Sequence, residues 1–338
     1  MTSAIKEKNK KMTILSGIKP SGPLHVGNYL GALKQFVAMQ KTYQCIFFVA
    51  DLHSLTEPYE PKEKTAQILN LTASFLAAGL DPKKSVIFLQ SLIPEHAELA
   101  WIFSAITPVP ELERMTQYKD MAKRKGFTVN TGLLTYPILM AVDILIYKSK
   151  IVPVGDDQDQ HLELTRTIAR NFNRRFGLTF PEPKPLHTAV PRLMSLSDPS
   201  RKMSKSEPSG CLFLNDSPAI IEQKIKRAVT DTGPAKNGGE MSEGVKNLFC
   251  LLKEFSDSQV VEKFEADHNA GTIRYSDLKE IVARNVIRGL ASFQKKYSVL
   301  IRQPKKLMSV LRAGSKKSRV TAAKTLSEVK QKIGLPPL

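Results

Sequence analysis

Apolar residues follow two alternating rhythms along the chain: short unbroken runs, and longer stretches at helical spacing. Met12 to Ile18, Gln44 to Ala50 (QCIFFVA) and Ser85 to Gln90 (SVIFLQ) are apolar on both faces, which predicts strands buried in a parallel sheet. Between them, Leu24 to Gln40 repeats Leu30, Leu33, Val37 and Tyr29, Ala32, Phe36 with the period of a helix. Pro61 to Leu80 predicts a second helix, stopped by Gly79 and Asp81-Pro82, and Glu95 to Ile106 a third. Ile151 to Val154 adds a strand, and Leu193 to Leu196 a short one. This alternation predicts an α/β fold whose sheet is covered by helices on both sides.

The middle of the chain is more helical. Glu111 to Arg124 predicts a charged helix, and Thr131 to Tyr147 an apolar one with a single carboxylate, Asp143. Tyr136, Met140, Asp143 and Tyr147 recur at i, i+4, i+7 and i+11, forming one stripe. An ionised carboxylate in such a helix needs a donor, either a nearby lysine or arginine or a ligand N–H. Gly155-Asp156-Asp157-Gln158-Asp159-Gln160-His161 places an acidic, amide-rich turn at the start of a helix running to about Phe176. Its acids are either helix caps or partners for a ribose hydroxyl or an ammonium group.

Beyond Leu214 the pattern is helical throughout: Pro218 to Val229, Gly244 to Phe255, Asp257 to His268, Ser276 to Ser298, and a lysine-rich segment from Gln303. Thr230 to Glu243 predicts a flexible insert. The expected organisation is a basic tail over 1–11, a catalytic domain over 12–210 with a helical insertion over about 95–150, and a helical domain over 211–338.

Net charge changes the picture most. At +18 it calls for a polyanionic partner, without saying whether DNA, RNA or a membrane surface. The three cysteines, Cys45, Cys211 and Cys250, fit neither a disulfide framework nor a metal-ligand spacing, so no metal site is expected. The first eleven residues resemble neither a secretory signal nor an arginine-rich transit peptide. These features predict a cytoplasmic protein.

Two stretches carry the chemistry. Ser16 to Asn28 (SGIKPSGPLHVGN) follows the first strand, where an α/β sheet binds its ligand. Gly17, Gly22 and Gly27 there permit close backbone approach, and a helix start favours phosphate. It is neither G-x-G-x-x-G nor a Walker loop, and His25 alone would suit a core or cap as well as a site. Arg201 to Glu207 (RKMSKSE) crowds three cations into five residues, which repel unless an anion sits among them.

Together these stretches resemble the signatures of the class I aminoacyl-tRNA synthetases. His25-Val26-Gly27-Asn28 looks like their HIGH motif, and Lys202-Met203-Ser204-Lys205-Ser206 matches KMSKS letter for letter. Within that class the chain is similar to the tryptophanyl-tRNA synthetases over most of its length, through segments such as GNYLGAL, GLLTYPILMAVDIL and VPVGDDQDQHLELTR. The resemblance implies a Rossmann-like catalytic domain, ATP with Mg²⁺, L-tryptophan, tRNA(Trp), a homodimer, and neither DNA nor a membrane. It implies that Lys19, Pro20, Ser21, Gly27 and Asn28 border ATP. Gly155, Asp156, Asp157 and Leu193 would frame the adenosine, and Lys202, Met203, Ser204, Lys205 and Ser206 would close over the phosphates. His25, Lys202 and Lys205 would be catalytic. Asp143 would accept the indole N–H, Met140, Val152 and Val154 would wall the slot, and Tyr136 and Gln158 would hold the ammonium, with His53 nearby. Two residues depart from the pattern: Leu15 stands where phenylalanine is usual, and Lys19 replaces a frequent glutamine. After Lys119 the chain is one residue longer than usual, so Lys123 is only a candidate for a phosphate-binding lysine. The alternatives are tyrosine specificity, and a silent relative that binds RNA through its basic helices.

Overall fold

The computed structural model describes residues 12–123, 129–155, 158–187, 192–231 and 239–336. The tail over 1–11, Arg124, Asp156, Asp157 and residues 232–238 of the insert expected over Thr230 to Glu243 lie outside the described residues. Five parallel strands form one sheet: β1 (Thr13–Ile18), β2 (Gln44–Val49), β3 (Ser85–Leu89), β4 (Ile151–Val154) and β5 (Lys184–His187), in the order β3-β2-β1-β4-β5. In β2 and β3 every residue except Gln44 is buried, which is why these strands read as unbroken apolar runs.

Alternation within the strands divides the core. Ile14, Cys45, Phe47, Val49, Ile87 and Leu89 point to one side, under α1 (26–39) and α2 (Pro61–Ala78). Leu15, Ile46, Phe48, Val86, Phe88, Val152 and Val154 point to the other side, under α3 (Glu95–Ser104), α6 (Thr131–Leu145) and α7 (Asp159–Phe176). Helix α1 is not uniform: Val26–Asn28 and Lys34–Met39 flank a π-helical stretch, Tyr29–Leu33.

Several expected elements differ. The charged helix expected over Glu111 to Arg124 is two short ones, α4 (Val109–Glu113) and α5 (Thr116–Ala122), with Met115 extended between them and buried. Burying that side chain needs a break that charge patterning does not reveal. Helix α6 stops at Leu145, so Tyr147 lies past its end. The strand expected at Leu193 to Leu196 is a single bridge, Met194 to Lys202. Strand β5 was not expected, because its sequence KPLH is half-exposed at the sheet edge and contains a proline.

The later helices are α8 (Pro218–Lys226), α9 (Glu243–Phe255), α10 (Ser258–Asn269), α11 (Tyr275–Leu300) and α12 (Pro304–Lys332). One apolar cluster joins Leu33 and Phe47 to Leu252, Val286 and Leu311, so the core is continuous across residue 210. Helix α12 returns to the sheet. Ser315 Oγ lies 3.3 Å from the Leu89 amide nitrogen, and Arg319 pairs with Glu95 at 2.7 Å.

Candidate active site

The carboxyl ends of the strands share one edge, and the strand order reverses between β1 and β4, where an open α/β sheet has its ligand crevice. Segment 19–28 leaves β1 at this edge, 50–53 leaves β2, Gln90 follows β3 and Gly155 follows β4.

Asp143 of α6 lies beneath the crevice and is 2% exposed. Its donors are not the lysine or arginine weighed from the sequence. His53 Nε2 lies 2.7 Å from Oδ2, while Gln90 Nε2 at 2.7 Å and His96 Nδ1 at 2.6 Å both meet Oδ1. Burial alone would raise the Asp143 pKa. The hydrogen bonds and charge of His53 and His96 outweigh it and hold the carboxyl below its usual range. Tyr147 places its hydroxyl 2.8 Å from His96 Nε2, and burial, with Asp143 and Glu95 beside it, pushes its pKa up.

Leu15, Val152 and Val154 belong to the apolar cluster around Asp143, and Met140 packs against it half-buried. These four residues thus lie on the same side of the sheet as Asp143, and Leu15 is fully buried. Tyr136 is half-buried, its hydroxyl 2.9 Å from Gln117 Oε1 and 2.7 Å from His161 Nε2. Burial pushes its pKa up to about 12, so it stays a neutral phenol. The His53 ring stands edge-on to it at 6.3 Å. Gln158 caps α7, its amide nitrogen 2.9 Å from the Gly155 carbonyl.

The second signature reaches the first across the whole catalytic half. Residues 24–26 run beside 212–214, with Val26 N on Leu212 O and Leu214 N on Leu24 O, both at 2.9 Å, and His25 opposite Phe213. Residues 193–195 pair with 201–203, so Leu193 backs the lysine loop and Met203 is buried in the core. Lys205 Nζ lies 3.4 Å from Ser21 Oγ and 3.3 Å from the Gly22 carbonyl. Lys202, Ser204 and Ser206 are exposed at the loop tip, and Arg201 pairs with Glu207 behind it.

His25 is 8% exposed and its Nδ1 has no protein partner. Burial first, then the charges of Lys205 and Lys202, bring its pKa down to about 4. The imidazole is therefore neutral near pH 7, and it offers an N–H rather than a cation. Lys205 is also lowered, mainly by burial. Asn28 Oδ1 accepts from the His25 amide at 3.2 Å, and a side chain on Gly27 would strike the His25 ring at 2.9 Å. Pro20 is buried at the start of the loop, and Lys19 is ion-paired to Glu57 at 2.5 Å.

His25, Ser21, Lys202 and Lys205 thus form a cationic end, and His53, Tyr136 and Asp143 stand at an apolar end, on the side of the sheet that also carries Met140, Val152 and Val154. Three further residues join that apolar end: Gln90, His96 and His161. Single polar residues in apolar segments look like satisfied core groups, so only their convergence on Asp143 and Tyr136 marks them.

A family model described as "tRNA synthetases class I (W and Y)" matches residues 6–291. The chain is 45% identical to a tryptophan–tRNA ligase of Caldanaerobacter subterraneus subsp. tengcongensis, covering 95% of this chain and 98% of the relative. It is 44% identical to that of Bacillus anthracis, over 95% and 98% of the two chains. The tryptophanyl-tRNA synthetase of Campylobacter jejuni, solved with ADP and tryptophan, superposes with a TM-score of 0.84 at 34% identity, covering 96% of this chain and all of that one.

Proposed function

The chain belongs to the class I tRNA synthetases of the tryptophan and tyrosine branch, and from this premise we propose how its residues carry out the reaction of a tryptophan–tRNA ligase. L-Tryptophan is activated by ATP to tryptophanyl-AMP and pyrophosphate, and the tryptophanyl group then passes to the 3′ end of tRNA(Trp). The observation that carries our assignment of residues is the buried Asp143 carboxylate. Three protein donors occupy it, and about four acceptor positions exist on an ionised carboxylate, so one remains for the indole N–H.

Tryptophan lies with its indole between Leu15, Met140, Val152 and Val154, and its ammonium faces Tyr136 and Gln158. Phenylalanine would leave the Asp143 position unpaired, a penalty that rejects it. Tyrosine is excluded by the shape of the slot. ATP lies along Lys19, Pro20, Ser21, Gly27 and Asn28, with its adenosine at Gly155, Asp156, Asp157 and Leu193.

A carboxylate oxygen of tryptophan attacks the α-phosphorus in line, and the bond to the bridging oxygen of pyrophosphate breaks with its electron pair. The protein supplies position and charge rather than a covalent partner. Lys202 and Lys205 neutralise charge on the leaving pyrophosphate, while neutral His25 donates a hydrogen bond, and Met203, Ser204 and Ser206 shape the loop over it. Mg²⁺ arrives on the ATP phosphates, the usual manner for this ion. Among the described residues no three His, Cys, Asp or Glu side chains are grouped to hold a metal. In the second step the ribose 2′-hydroxyl of the terminal adenosine attacks the activated carbonyl carbon and AMP leaves.

We read the enzyme as a cytoplasmic homodimer. Among the described residues no helix is long and apolar enough to cross a membrane. Trp101 and Val109, 78% and 54% exposed, offer apolar surface for a partner.

The deciding experiment is amino-acid-dependent ATP–pyrophosphate exchange with each of the twenty amino acids. Exchange with tryptophan alone is expected. Exchange with tyrosine would overturn the slot assignment, and none from folded protein would favour the RNA-binding relative.

A further inference from the structure

His96 has no role in the mechanism above, yet it is fully buried and both its ring nitrogens are engaged. It lies on α3, the helix that α12 braces through Arg319 and Glu95. Nδ1 meets Asp143 Oδ1 at 2.6 Å and Nε2 meets the Tyr147 hydroxyl at 2.8 Å. An ionised carboxylate only accepts, so Nδ1 carries a proton toward Asp143, while Nε2 faces the Tyr147 hydroxyl. Burial keeps the Tyr147 phenol protonated.

The two carboxylate oxygens of Asp143 are not equivalent. Oδ1 takes both Gln90 and His96, which fills its two lone pairs. Oδ2 takes only His53 and keeps one lone pair.

We propose that His96 is a positioning residue for tryptophan recognition: with Gln90 it saturates Oδ1 and fixes the carboxylate plane, so that the substrate's indole N–H is received by Oδ2. Tyr147 acts one step further out, holding the far nitrogen of the ring so that Nδ1 stays aimed at Oδ1. The proposal rests on the reading of Asp143 as the indole acceptor. A histidine that merely fills the core would support the fold and affect every substrate alike. A positioning histidine affects only substrates that use the N–H.

Pyrophosphate exchange with tryptophan and with benzothienylalanine, which carries sulfur in place of the N–H, separates the two. Wild type should favour tryptophan in kcat/KM by about 100-fold or more. His96→Leu should cut that preference by about tenfold or more, with KM for ATP unchanged, while His96→Asn, whose amide reaches the Nδ1 position, restores most of it. Equal losses for both substrates, with the wild-type preference intact, would overturn the proposal. If His96→Leu does not fold, Tyr147→Phe gives the same reading: a lowered preference supports the proposal and an unchanged one overturns it. Asp143→Ala separates the two levels. Loss of preference there but not in the His96 and Tyr147 variants sinks only the role of His96. Retention of preference in Asp143→Ala sinks the assignment of Asp143 itself.

Discussion

His25 and Lys205 have their charges set by what surrounds them. The pKa of His25 falls from 6.5 to about 4 through burial and the charges of Lys205 and Lys202. Between those values the unfolded chain binds a proton that the folded chain does not, so stability falls as pH drops from 6.5 toward 4. The shift corresponds to something on the order of 3 kcal/mol. Urea unfolding followed across that window should show wild type losing more stability than His25→Gln; parallel curves would contradict it. Lys205 differs in kind, because its ammonium is held at the loop after β1, by Ser21 and Gly22, where our proposal puts the phosphates of ATP. Lys205→Ala should lower kcat for adenylate formation by about 100-fold or more, since its charge is needed in the transition state. KM for tryptophan, measured by pyrophosphate exchange, should change little.

Among the elements, α1 and α12 both pack on the segments that carry the site. The first turn of α1 is paired through residues 24–26 to 212–214, just past the lysine loop, so the two signatures are fixed to each other by backbone bonds. A π-helical stretch, Tyr29–Leu33, follows directly after this first turn, the kind of irregularity that often sits beside functional sites. Helix α12 lies so close to β3 that a side chain on Gly314 would fall 1.8 Å from the Ile87 carbonyl oxygen. No rotamer change can relieve a clash with backbone, so Gly314→Ala should destabilise the fold by about 1–3 kcal/mol or more. A lowered urea midpoint with an unchanged m-value would verify this, and wild-type stability would refute it. Because α12 also braces Glu95 and Leu89, tryptophan activation should weaken in the same variant.

The whole molecule carries a net charge of +18 on a chain whose catalytic core needs few of those cations. A field of that size draws in a polyanion and is screened by salt. Raising salt from about 50 to 200 mM should increase KM for tRNA about tenfold or more in aminoacylation, while tryptophan-dependent pyrophosphate exchange changes much less. Equal salt sensitivity in the two assays would mean that the charge serves the small substrates instead. Continuity of the core across residue 210 adds a further constraint, since the helical half shares its apolar cluster with the sheet and does not rest on a core of its own.

Periodicity alone located strands β1 to β4 and most of the helices, because a buried parallel strand and an amphipathic helix each impose a local rhythm on the residues. It missed β5, whose proline-bearing edge sequence carries little such rhythm, and it ran α4 and α5 together. The two signatures were legible as well, being short and contiguous, and so was the need of Asp143 for a donor. The identity of that donor was not. His53 follows β2, Gln90 and His96 follow β3, and Asp143 sits on α6, so only folding brings the three donors within 2.7 Å of one carboxylate. The meeting of Lys205 with Ser21 and Gly22, and the neutrality of His25, belong to the tertiary structure for the same reason. Hydrogen bonding and desolvation act through space, and sequence order carries almost no information about distance between remote segments.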